Sequence, residues 1–329
     1  MLYSAPRCYH SFMFGEDARA KTSLYLAIFL LFMAYGGRFT GIEPFHNQFF
    51  TALSWTYLLI ADLLLYRLAG RSPLLSAPLE FLLLAACSAG LAVIAELLNL
   101  RLEAWTYFNQ SSELSLRWTG RLLAWAAVLP SILITADLLA LFNFLRSIKT
   151  RPFQAGPRAQ PAMLAAGGAL LLTALIAPRY FWPLAVPAFF LITEPLNMRL
   201  GLPSVLREVA GGLPARAIRL AAAGLIAGLL WNFWNQASGA AWQYNLPGWL
   251  RSPAHYLGFP LLALAAYSAY CLASWLRSGR TWEGQPWNMP GRQPGPYAGW
   301  AAVAILIISS YIALRAVDAY TVRFYLGWI

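Results

Sequence analysis

The chain has 329 residues, of which 59% are hydrophobic and only 11% are charged. A soluble domain carries about 25% charged residues, so this composition excludes a surface that faces water throughout and predicts that most of it faces lipid. The net charge of +11 comes from basic residues scattered between apolar runs, without dense Lys/Arg tracts. This pattern is typical of membrane topology signals and predicts membrane lipids, and no nucleic acid, as partners.

Nine apolar segments approach the length of about 20 residues that a transmembrane helix needs. The sequence therefore predicts an all-α fold, a polytopic membrane helical bundle of about nine spans. The predicted spans are residues 22–37, 48–67, 79–99, 120–146, 161–178, 180–198, 216–236, 254–277 and 298–316. A very tight link at Pro178-Arg179-Tyr180 joins the fifth and sixth, and the count falls to eight if this pair is re-entrant.

The basic residues predict the orientation of the spans. With the amino terminus inside, about twice as many Arg and Lys residues lie in inside segments as in outside segments, as the positive-inside rule requires. We therefore expect a multi-pass protein of the bacterial inner membrane with a cytoplasmic amino terminus and a periplasmic carboxyl terminus. The predicted regions are a cytoplasmic tail (1–21), a first four-helix repeat (22–150), a cytoplasmic linker (151–160), a second four-helix repeat (161–278), a cytoplasmic Pro/Gly loop (279–297), and a ninth helix with an outer tail (298–329). Trp282 and Trp287 in the Pro/Gly loop are expected to rest among lipid headgroups.

The two predicted four-helix units share three local patterns in the same order, at offsets of 130 to 137 residues. In both units an acid lies five residues before an Arg, an Asn is followed by Trp-x-Tyr, and a Pro lies seven residues before a polar residue. The paired segments are Asp62…Arg67 with Glu194…Arg199, Glu96-Leu-Leu-Asn99…Trp105-Thr-Tyr107 with Asn232-Phe-Trp-Asn235…Trp242-Gln-Tyr244, and Pro130…Asp137 with Pro260…Tyr267. They predict a parallel 4+4 internal repeat about an axis along the membrane normal, with the ninth helix outside it. The alternative is coincidence between helix ends of similar composition.

Four acids inside apolar spans are candidate functional residues, because an ionisable group at membrane depth costs on the order of 3 kcal/mol or more. A carboxylic acid in an apolar site keeps its proton and can act as a general acid, and we predict this catalytic role for Glu96 and Glu194. The predicted substrate-binding residues are Asp62, Asp137, Asn99, Trp105, Tyr107, Asn197, Asn232, Asn235, Trp242 and Tyr244. In the structural alternative, Asn side chains join helices and Trp and Tyr anchor helix ends. Asp62 and Glu194 would then pair with Arg67 and Arg199.

The residues that the spans lack exclude several cofactors. His10, His46 and His255 are the only histidines and none lies in the middle of a predicted span, so a haem held by two histidines is not expected. No Lys lies within a span, which excludes a retinal Schiff base, and no nucleotide-binding or metal-binding motif is present. We predict no cofactor and no metal.

Glu194-Pro-Leu-Asn197 and the segment from residue 230 to Tyr244 resemble a family of uncharacterised bacterial multi-span membrane proteins, and the resemblance extends over most of the chain. The family pattern in the second segment is Trp-Glu-Phe-Trp-Asn, then Lys-Trp-x-Tyr, whereas this chain has Asn232 in place of Glu and Ala241 in place of Lys. The resemblance implies no particular activity.

A second similarity is to the integral-membrane lycopene cyclase domain family, which repeats a helical unit with Trp-x-Tyr/Phe, then Gly-x-Pro followed by two Glu. Here Trp242-Gln-Tyr244 is followed by Gly258-Phe-Pro260, but Leu261 and Ala263 stand about where that family has its Glu residues. The acid that would protonate a polyene is therefore absent at the matching place.

Three functions remain open. The first is a cofactor-independent membrane enzyme that acts on a lipid or isoprenoid through a buried carboxylic acid, with aromatic faces that stabilise a developing cation. The second is a non-catalytic subunit of a larger membrane complex, for example a respiratory or photosynthetic one. The third is a transporter with parallel repeats, which requires a continuous polar path between the inner acids and Glu96.

Overall fold

The computed structural model describes residues 18–326 apart from 155, 157, 247, 285–292 and 296, with the side chains of 144, 146, 248–255 and 326 also outside the description. Of the predicted tail 1–21, only residues 18–21 are described. Trp287 lies outside the described residues. Within that range the main helices, labelled in chain order, are α1 (Ala18–Thr40), α2 (Phe49–Ala69), α3 (Pro78–Leu102), α4 (Leu114–Leu139), α5 (Ala159–Ile176), α6 (Ala185–Leu200), α7 (Ala215–Ala237), α8 (Gly248–Ala273) and α9 (Ala298–Tyr320). Shorter helices are named by their residues.

Eight helices of the described chain are long and apolar enough to cross a membrane, which confirms a multi-pass membrane helical bundle. The helix outside this set is α6, which has 16 residues. Two short helical turns, Pro178–Phe181 and Trp182–Leu184, fill the tight link before it. Each has a Pro in its first turn, where a backbone N–H would have no partner within the helix. The two prolines are therefore tolerated in the link at which the chain reverses direction. The predicted count of nine spans is not confirmed.

The helices of the two halves pack in corresponding pairs. In the first half α1 packs on α2, α2 on α4 and α3 on α4; in the second half α5 packs on α6, α6 on α8 and α7 on α8. The contact between α4 and α7 joins the halves, and α9 packs on α3. The largest buried cluster, contributed by both halves, includes Phe49, Leu84, Leu129, Ile132, Leu220, Trp231, Trp234, Phe259 and Tyr267.

Two glycines let α7 approach α8 closely. Gly224 and Gly228 lie four residues apart on one face of α7, in the spacing that brings membrane helices together. A Cβ at Gly224 would overlap the backbone of Phe259, and one at Gly228 would overlap the Phe259 ring. The crossing of α7 and α8 therefore depends on the absence of side chains at these two positions.

Within the described part of the chain, four short strands lie at one end of the bundle, which we call the strand face. β1 (Trp105–Phe108) pairs antiparallel with β3 (Ala241–Tyr244). β2 (Gln110–Ser111) pairs in parallel with β4 (Tyr325–Leu326). A backbone bridge between Tyr107 and Val322 brings the chain after α9 against the other edge of β1. β1 is thus held between the second half and the segment that follows α9.

Candidate functional site

Asp62 caps a short helix. Its fully buried carboxylate accepts hydrogen bonds from Ser72 Oγ at 2.6 Å and from the backbone N–H groups of Leu74 and Leu75 at 2.9 and 3.2 Å. These N–H groups belong to the helix Pro73–Ser76, whose N-cap residue is Ser72. The first N–H groups of a helix lack partners within it, and a carboxylate satisfies them with favourable charge. The loop after α2 is therefore folded back against Asp62.

Glu194 makes the same arrangement in the second half. It is fully buried and accepts hydrogen bonds from Ser204 Oγ at 2.6 Å and from the N–H groups of Val205 and Leu206 at 3.3 and 2.9 Å. Ser204 is the N-cap residue of the helix Val205–Ala210. Arg199, the alternative partner, donates instead to Gln160 at 3.4 Å. The predicted catalytic role of Glu194 gains no support, because both carboxylate oxygens accept bonds that hold the loop.

Asn99 and Asn235 brace the two paired strands. Asn99 Oδ1 accepts from the N–H groups of Ala104 and Trp105 at 2.8 and 3.2 Å, and its Nδ2 donates to the Trp105 carbonyl at 2.9 Å. Asn235 accepts from the Trp242 N–H at 3.0 Å and donates to the Trp242 carbonyl at 2.8 Å. The two amides therefore fix the backbones of Trp105 and Trp242. These bonds occupy groups that we predicted to bind substrate.

The register of the β1–β3 pair is symmetric with respect to the offset of 137 residues between the two strands. Trp105 lies opposite Tyr244, and Tyr107 lies opposite Trp242. At an offset of 137 residues, the counterpart of Trp105 is Trp242 and the counterpart of Tyr107 is Tyr244. The second pair therefore consists of the counterparts of the residues in the first pair. Thr106 and Gln243, which are counterparts of each other, face each other at the centre. A twofold axis through this central pair therefore relates the two strands.

Glu96 differs from the capping acids because half of its carboxyl group is unused. The residue is only 3% exposed. Its Oε1 accepts a hydrogen bond from the Tyr107 hydroxyl, whereas Oε2 is buried without a hydrogen-bond partner in the described structure. The indole N–H groups of Trp105 and Trp125 are directed toward the carboxyl group. An unpartnered buried oxygen calls for an explanation, and this one is free to hold a proton or a ligand.

Tyr107 links Glu96 to a basic cluster. The Arg121 guanidinium lies over the Tyr107 ring, 5.0 Å from its centroid. Burial, followed by the negative charge of Glu96, raises the pKa of Tyr107 well above its ordinary value, while Arg121 acts in the opposite direction. The phenol therefore keeps its proton and remains a hydrogen-bond donor to Glu96.

α9 supplies a carboxylate that orders this basic cluster. Asp318 accepts hydrogen bonds from Arg117 at 2.8 Å, from Arg121 at 2.9 Å and from the Trp118 indole at 2.8 Å. Arg117 and Arg121 are 8% and 6% exposed, so the ion pairs are largely shielded from solvent. Asp318 thereby holds Arg121 over Tyr107. The ninth helix, predicted to lie outside the repeat, thus contributes to the surroundings of Glu96 in the first half.

The corresponding position of the second half carries no acid. Asn232, the counterpart of Glu96, is half-buried. Tyr244, the counterpart of Tyr107, stacks with Trp182 at a centroid distance of 6.2 Å. Burial raises the pKa of Tyr244, and the charge of Glu96 adds to the rise. Tyr244 therefore interacts electrostatically with Glu96. The second half thus also contributes to the surroundings of this acid.

Asp137 lies at the opposite end of α4, where it and its counterpart Tyr267 line one small cavity of about 20 Å³. A cavity of this size has room for one water molecule. Asp137 accepts a hydrogen bond of 2.8 Å from the indole of Trp282, which is 7% exposed. The prediction that Trp282 rests among lipid headgroups is therefore wrong, because the start of the Pro/Gly loop packs against the bundle and Trp282 is the buried partner of Asp137.

Arg216 is the centre of an ionic cluster beside this cavity. It donates to Glu208 at 2.9 Å and to the Tyr267 hydroxyl at 2.8 Å, and it also bonds Glu283. Burial raises the pKa of Glu208, and the positive charge of Arg216 opposes that rise. Asp137 therefore belongs to a network that joins α4, α7, α8 and the loop after α8.

Apolar side chains separate the Asp137 cluster from the Glu96 cluster. Along α4, Arg121 and Asp137 are about 24 Å apart at 1.5 Å per residue. Between them the buried side chains of Leu129, Ile132 and Leu133 belong to hydrophobic core. The predicted polar residues thus form separate groups at the two ends of the bundle.

Asn197, also predicted to bind substrate, joins α6 to α8. Its Nδ2 donates to the Ser268 carbonyl at 2.8 Å and to the Ser268 hydroxyl at 3.1 Å, and its Oδ1 is buried without a partner in the described structure. The neighbouring Thr193 hydroxyl lies 2.8 Å from the Ser268 hydroxyl. Asn197 therefore has the structural role that Asn commonly takes between membrane helices.

Sequence reasoning missed the Arg117–Arg121–Asp318 and Arg216–Glu208–Glu283 clusters. One signal was available, since Arg117 and Arg121 are four residues apart and share a helix face. Their partner lies about 200 residues away in the chain, which no local pattern can indicate.

The chain was compared with protein-family models, curated proteins and solved structures, and none of them matches it. The two family resemblances described above therefore stay predictions.

Proposed function

We propose that this chain is a membrane enzyme that donates a proton from Glu96 to a lipid or isoprenoid substrate and needs no cofactor. The observation that carries the proposal is the buried Glu96 carboxyl group, with one oxygen held by Tyr107 and the other without a partner. The other acids in the spans have several donors or an ionic network around them. A positioned carboxylic acid of this kind typically contributes about 10²–10⁴-fold to a proton transfer.

The surroundings of Glu96 suit a reaction that passes through a cation. Protonation of a carbon–carbon double bond leaves a positive charge, which the aromatic side chains near Glu96, Trp105 and Trp125 among them, would stabilise. Loss of a proton from a neighbouring carbon to the Glu96 carboxylate would close the cycle and regenerate the acid. The reaction class is thus isomerisation or cyclisation, with no net oxidation. Asp318 offsets part of the positive charge of Arg117 and Arg121 and so reduces electrostatic repulsion of the cation.

The test uses solvent deuterium. Membranes that contain the full chain are supplied with a total lipid and isoprenoid extract in D₂O, and the products are analysed by mass spectrometry. The proposal predicts carbon-bound deuterium in at least one lipid, and its loss in Glu96→Gln. Glu113→Gln is the matched control, because Glu113 is an exposed acid beside the same strand face. Equal deuterium incorporation by wild type and Glu96→Gln would contradict the proposal.

A non-catalytic role in a larger membrane complex is the second candidate. α9 favours it, because large apolar side chains cover its outer surface, among them Trp300 at 76%, Ile305 at 66% and Tyr311 at 58% exposure. A face of this kind fits either lipid or a partner helix. Purification in mild detergent distinguishes the two proposals: a chain that runs alone and incorporates deuterium supports the enzyme, and a stoichiometric partner without incorporation supports the subunit.

The transporter hypothesis has the least support. It requires a continuous polar path, whereas the structure has Leu129, Ile132 and Leu133 buried between the two polar groups. A second conformation with water between the two polar groups would support the transporter hypothesis.

We also propose that the two halves arose by duplication. The matching caps of Asp62 and Glu194, the matching braces of Asn99 and Asn235, and the symmetric strand register support this. The excess of basic residues in alternate loops supports a cytoplasmic amino terminus in the bacterial inner membrane. In that orientation the strand face, with Glu96, is periplasmic.

A further inference from the structure

A long groove opens on the surface between α1, α2 and the start of α4. Its volume is about 820 Å³, within the range of roughly 300–1,000 Å³ typical of small-molecule sites. On α4 the lining residues Gly120 and Leu123 share one face of the helix. Arg121 and Trp125, which lie near Glu96, are on the opposite face of α4. The groove is therefore separate from the proposed acid site.

The groove runs along the direction of lipid chains. Its lining follows α1 from Ala18 to Leu30 and α2 from Gln48 to Leu59, each about 17 Å at 1.5 Å per residue. The loop between α1 and α2 bonds to the chain just after α7, so the Gln48 end of the groove lies near the strand face and the Ala18 end lies away from it. Polar residues among the described lining lie only at the two ends, and they are Arg19, Thr22 and Ser23 at one end and Gln48, Thr51 and Thr119 at the other. The apolar part between them fits a hydrocarbon chain of the bilayer.

Ser23 brings an unsatisfied hydroxyl group to this groove. The residue is 5% exposed and lies on the same face of α1 as the lining residue Leu26, and its Oγ is buried without a hydrogen-bond partner in the described structure. Hydroxyls inside helices commonly bond to the carbonyl four residues earlier, as they do at Thr22, Ser54, Thr56, Ser131, Thr135 and Thr173. At membrane depth no water replaces a missing bond. The Ser23 hydroxyl therefore calls for a partner from outside the chain.

The depth of Ser23 matches that of the ester groups of a bilayer lipid. The charged Lys21 places the start of α1 at the membrane surface, and Ser23 lies about 7.5 Å along the helix from Ala18 at 1.5 Å per residue. The interfacial layer between water and hydrocarbon is about 5–8 Å thick on each side. The ester carbonyls that join acyl chains to glycerol lie at its inner boundary. From Ser23 the lining continues to Leu26 and Leu30, which is the course of a chain that leaves such a carbonyl.

We propose that this groove binds a diacyl glycerolipid of the bilayer, with an ester carbonyl that accepts a hydrogen bond from Ser23 and an acyl chain along Leu26, Leu30 and Leu59. The carbonyl offers an acceptor, and the hydroxyl turns toward it by rotation about one bond. The ester and the chain make these contacts, so the binding does not depend on the charge of the headgroup. An ether-linked lipid with the same chains would make the same apolar contacts but has no carbonyl to accept the bond.

The proposal is tested by native mass spectrometry of the delipidated full chain mixed with equal amounts of ester-linked and ether-linked phosphatidylcholine of the same chain lengths. The wild type is expected to retain the ester-linked lipid about fivefold better, the effect of one hydrogen bond. Ser23→Ala should bring the two lipids close to equal retention, and the Tm of the delipidated protein should not fall. Thr22→Val is the matched control and should keep the preference, because Thr22 also lines the groove but its hydroxyl bonds to the Ala18 carbonyl at 2.8 Å.

Leu26→Trp should fill the groove and lower retention of both lipids. Leu31→Trp is the matched control, because Leu31 is similarly exposed on α1, at 40% against 44%, and lies outside the groove. Equal retention of the two lipids by the wild type would overturn the proposal, as would an undiminished ester preference in Ser23→Ala or wild-type retention in Leu26→Trp. A protein or an isoprenoid retained in place of the ester-linked lipid would also overturn it. Deuterium incorporation in these variants reports separately on Glu96, so the two proposals can fail independently.

Discussion

α3 and α7 end at the strand face with the same amide in the same role, but one turn earlier α3 has Glu96 where α7 has Asn232. Asn99 and Asn235 each hold a Trp backbone, and Trp105 and Trp242 lie in strands that pair symmetrically. The frame around the acid is therefore shared by both halves, whereas the acid is not. A group that is present in one half only is not needed for the architecture that the two halves share, and this separates Glu96 from the residues that support the fold.

The crossings inside the two halves show a second difference. In the first half the Ser88 hydroxyl donates to the Trp125 carbonyl at 2.5 Å and accepts from the Leu129 N–H at 2.9 Å, which ties α3 to α4. In the second half Gly224 meets the backbone of Phe259, the counterpart of Leu129. The crossing of α3 and α4 is held by hydrogen bonds of Ser88, whereas the crossing of α7 and α8 is held by close packing at Gly224. Both positions require a small residue.

The largest effect is expected where α7 meets α8. Gly224→Leu would place a side chain on the Phe259 backbone, which cannot move without displacing α8, and overpacking of this kind costs about 3 kcal/mol or more. We expect no folded protein, or a strongly lowered Tm, by size-exclusion chromatography and thermal unfolding in detergent. Gly258→Leu is the control, because a Cβ there meets open space. A stable Gly224→Leu variant would show that the crossing is looser than the structure has it.

A slightly smaller loss is expected when either capping acid is removed. Asp62→Ala and Glu194→Ala each leave a Ser hydroxyl and two N–H groups without their acceptor, and bonds to a charged group contribute about 1.5–3 kcal/mol. The two variants should lose stability by similar amounts in denaturant unfolding, and their losses should add in the double variant because the sites are distant. A large loss of stability in one variant and none in the other would show that Asp62 and Glu194 do not have equivalent roles in the two halves.

The Asn braces should matter less. Asn99→Ala and Asn235→Ala each remove bonds to one strand backbone, at about 1 kcal/mol per bond. Hydrogen exchange should accelerate first at the β1 and β3 amides in both variants, with the bundle helices still protected. Unchanged exchange in β1 after Asn99→Ala would contradict the bracing role.

The smallest stability change is expected at Glu96. Glu96→Gln keeps the size of the side chain and the acceptor for Tyr107, so the free energy of unfolding should change by less than about 1 kcal/mol. Deuterium incorporation should nevertheless disappear. If Glu96→Gln instead destabilises the protein as strongly as Asp62→Ala, Glu96 is a structural residue and the contrast between the halves loses its functional meaning.

Much of the fold could be predicted from apolar segments, because length and hydropathy determine which helices cross a membrane. The capping of Asp62 and Glu194 could not, although Ser72 and Ser204 each follow their acid by ten residues. The bond depends on a loop that folds back, and spacing beyond one helical turn does not indicate contact. The pairing of Arg117 and Arg121 with Asp318 was equally out of reach, because it depends on where α9 packs. At Glu96 the sequence identified the residue and its tyrosine, but not the unpartnered oxygen.

The position of β1 has a consequence for biosynthesis. Tyr107 donates its N–H to Thr321 and accepts from the N–H of Arg323, while its strand pairs with β3 on the other edge. Both neighbours are translated long after α3, so one edge of β1 stays open at the strand face until the segment that follows the last helix is in place. Exposed strand edges invite wrong pairing. The tyrosine that orients Glu96 is thus locked in place only when insertion is nearly finished, and a half-made chain has the acid without its oriented partner.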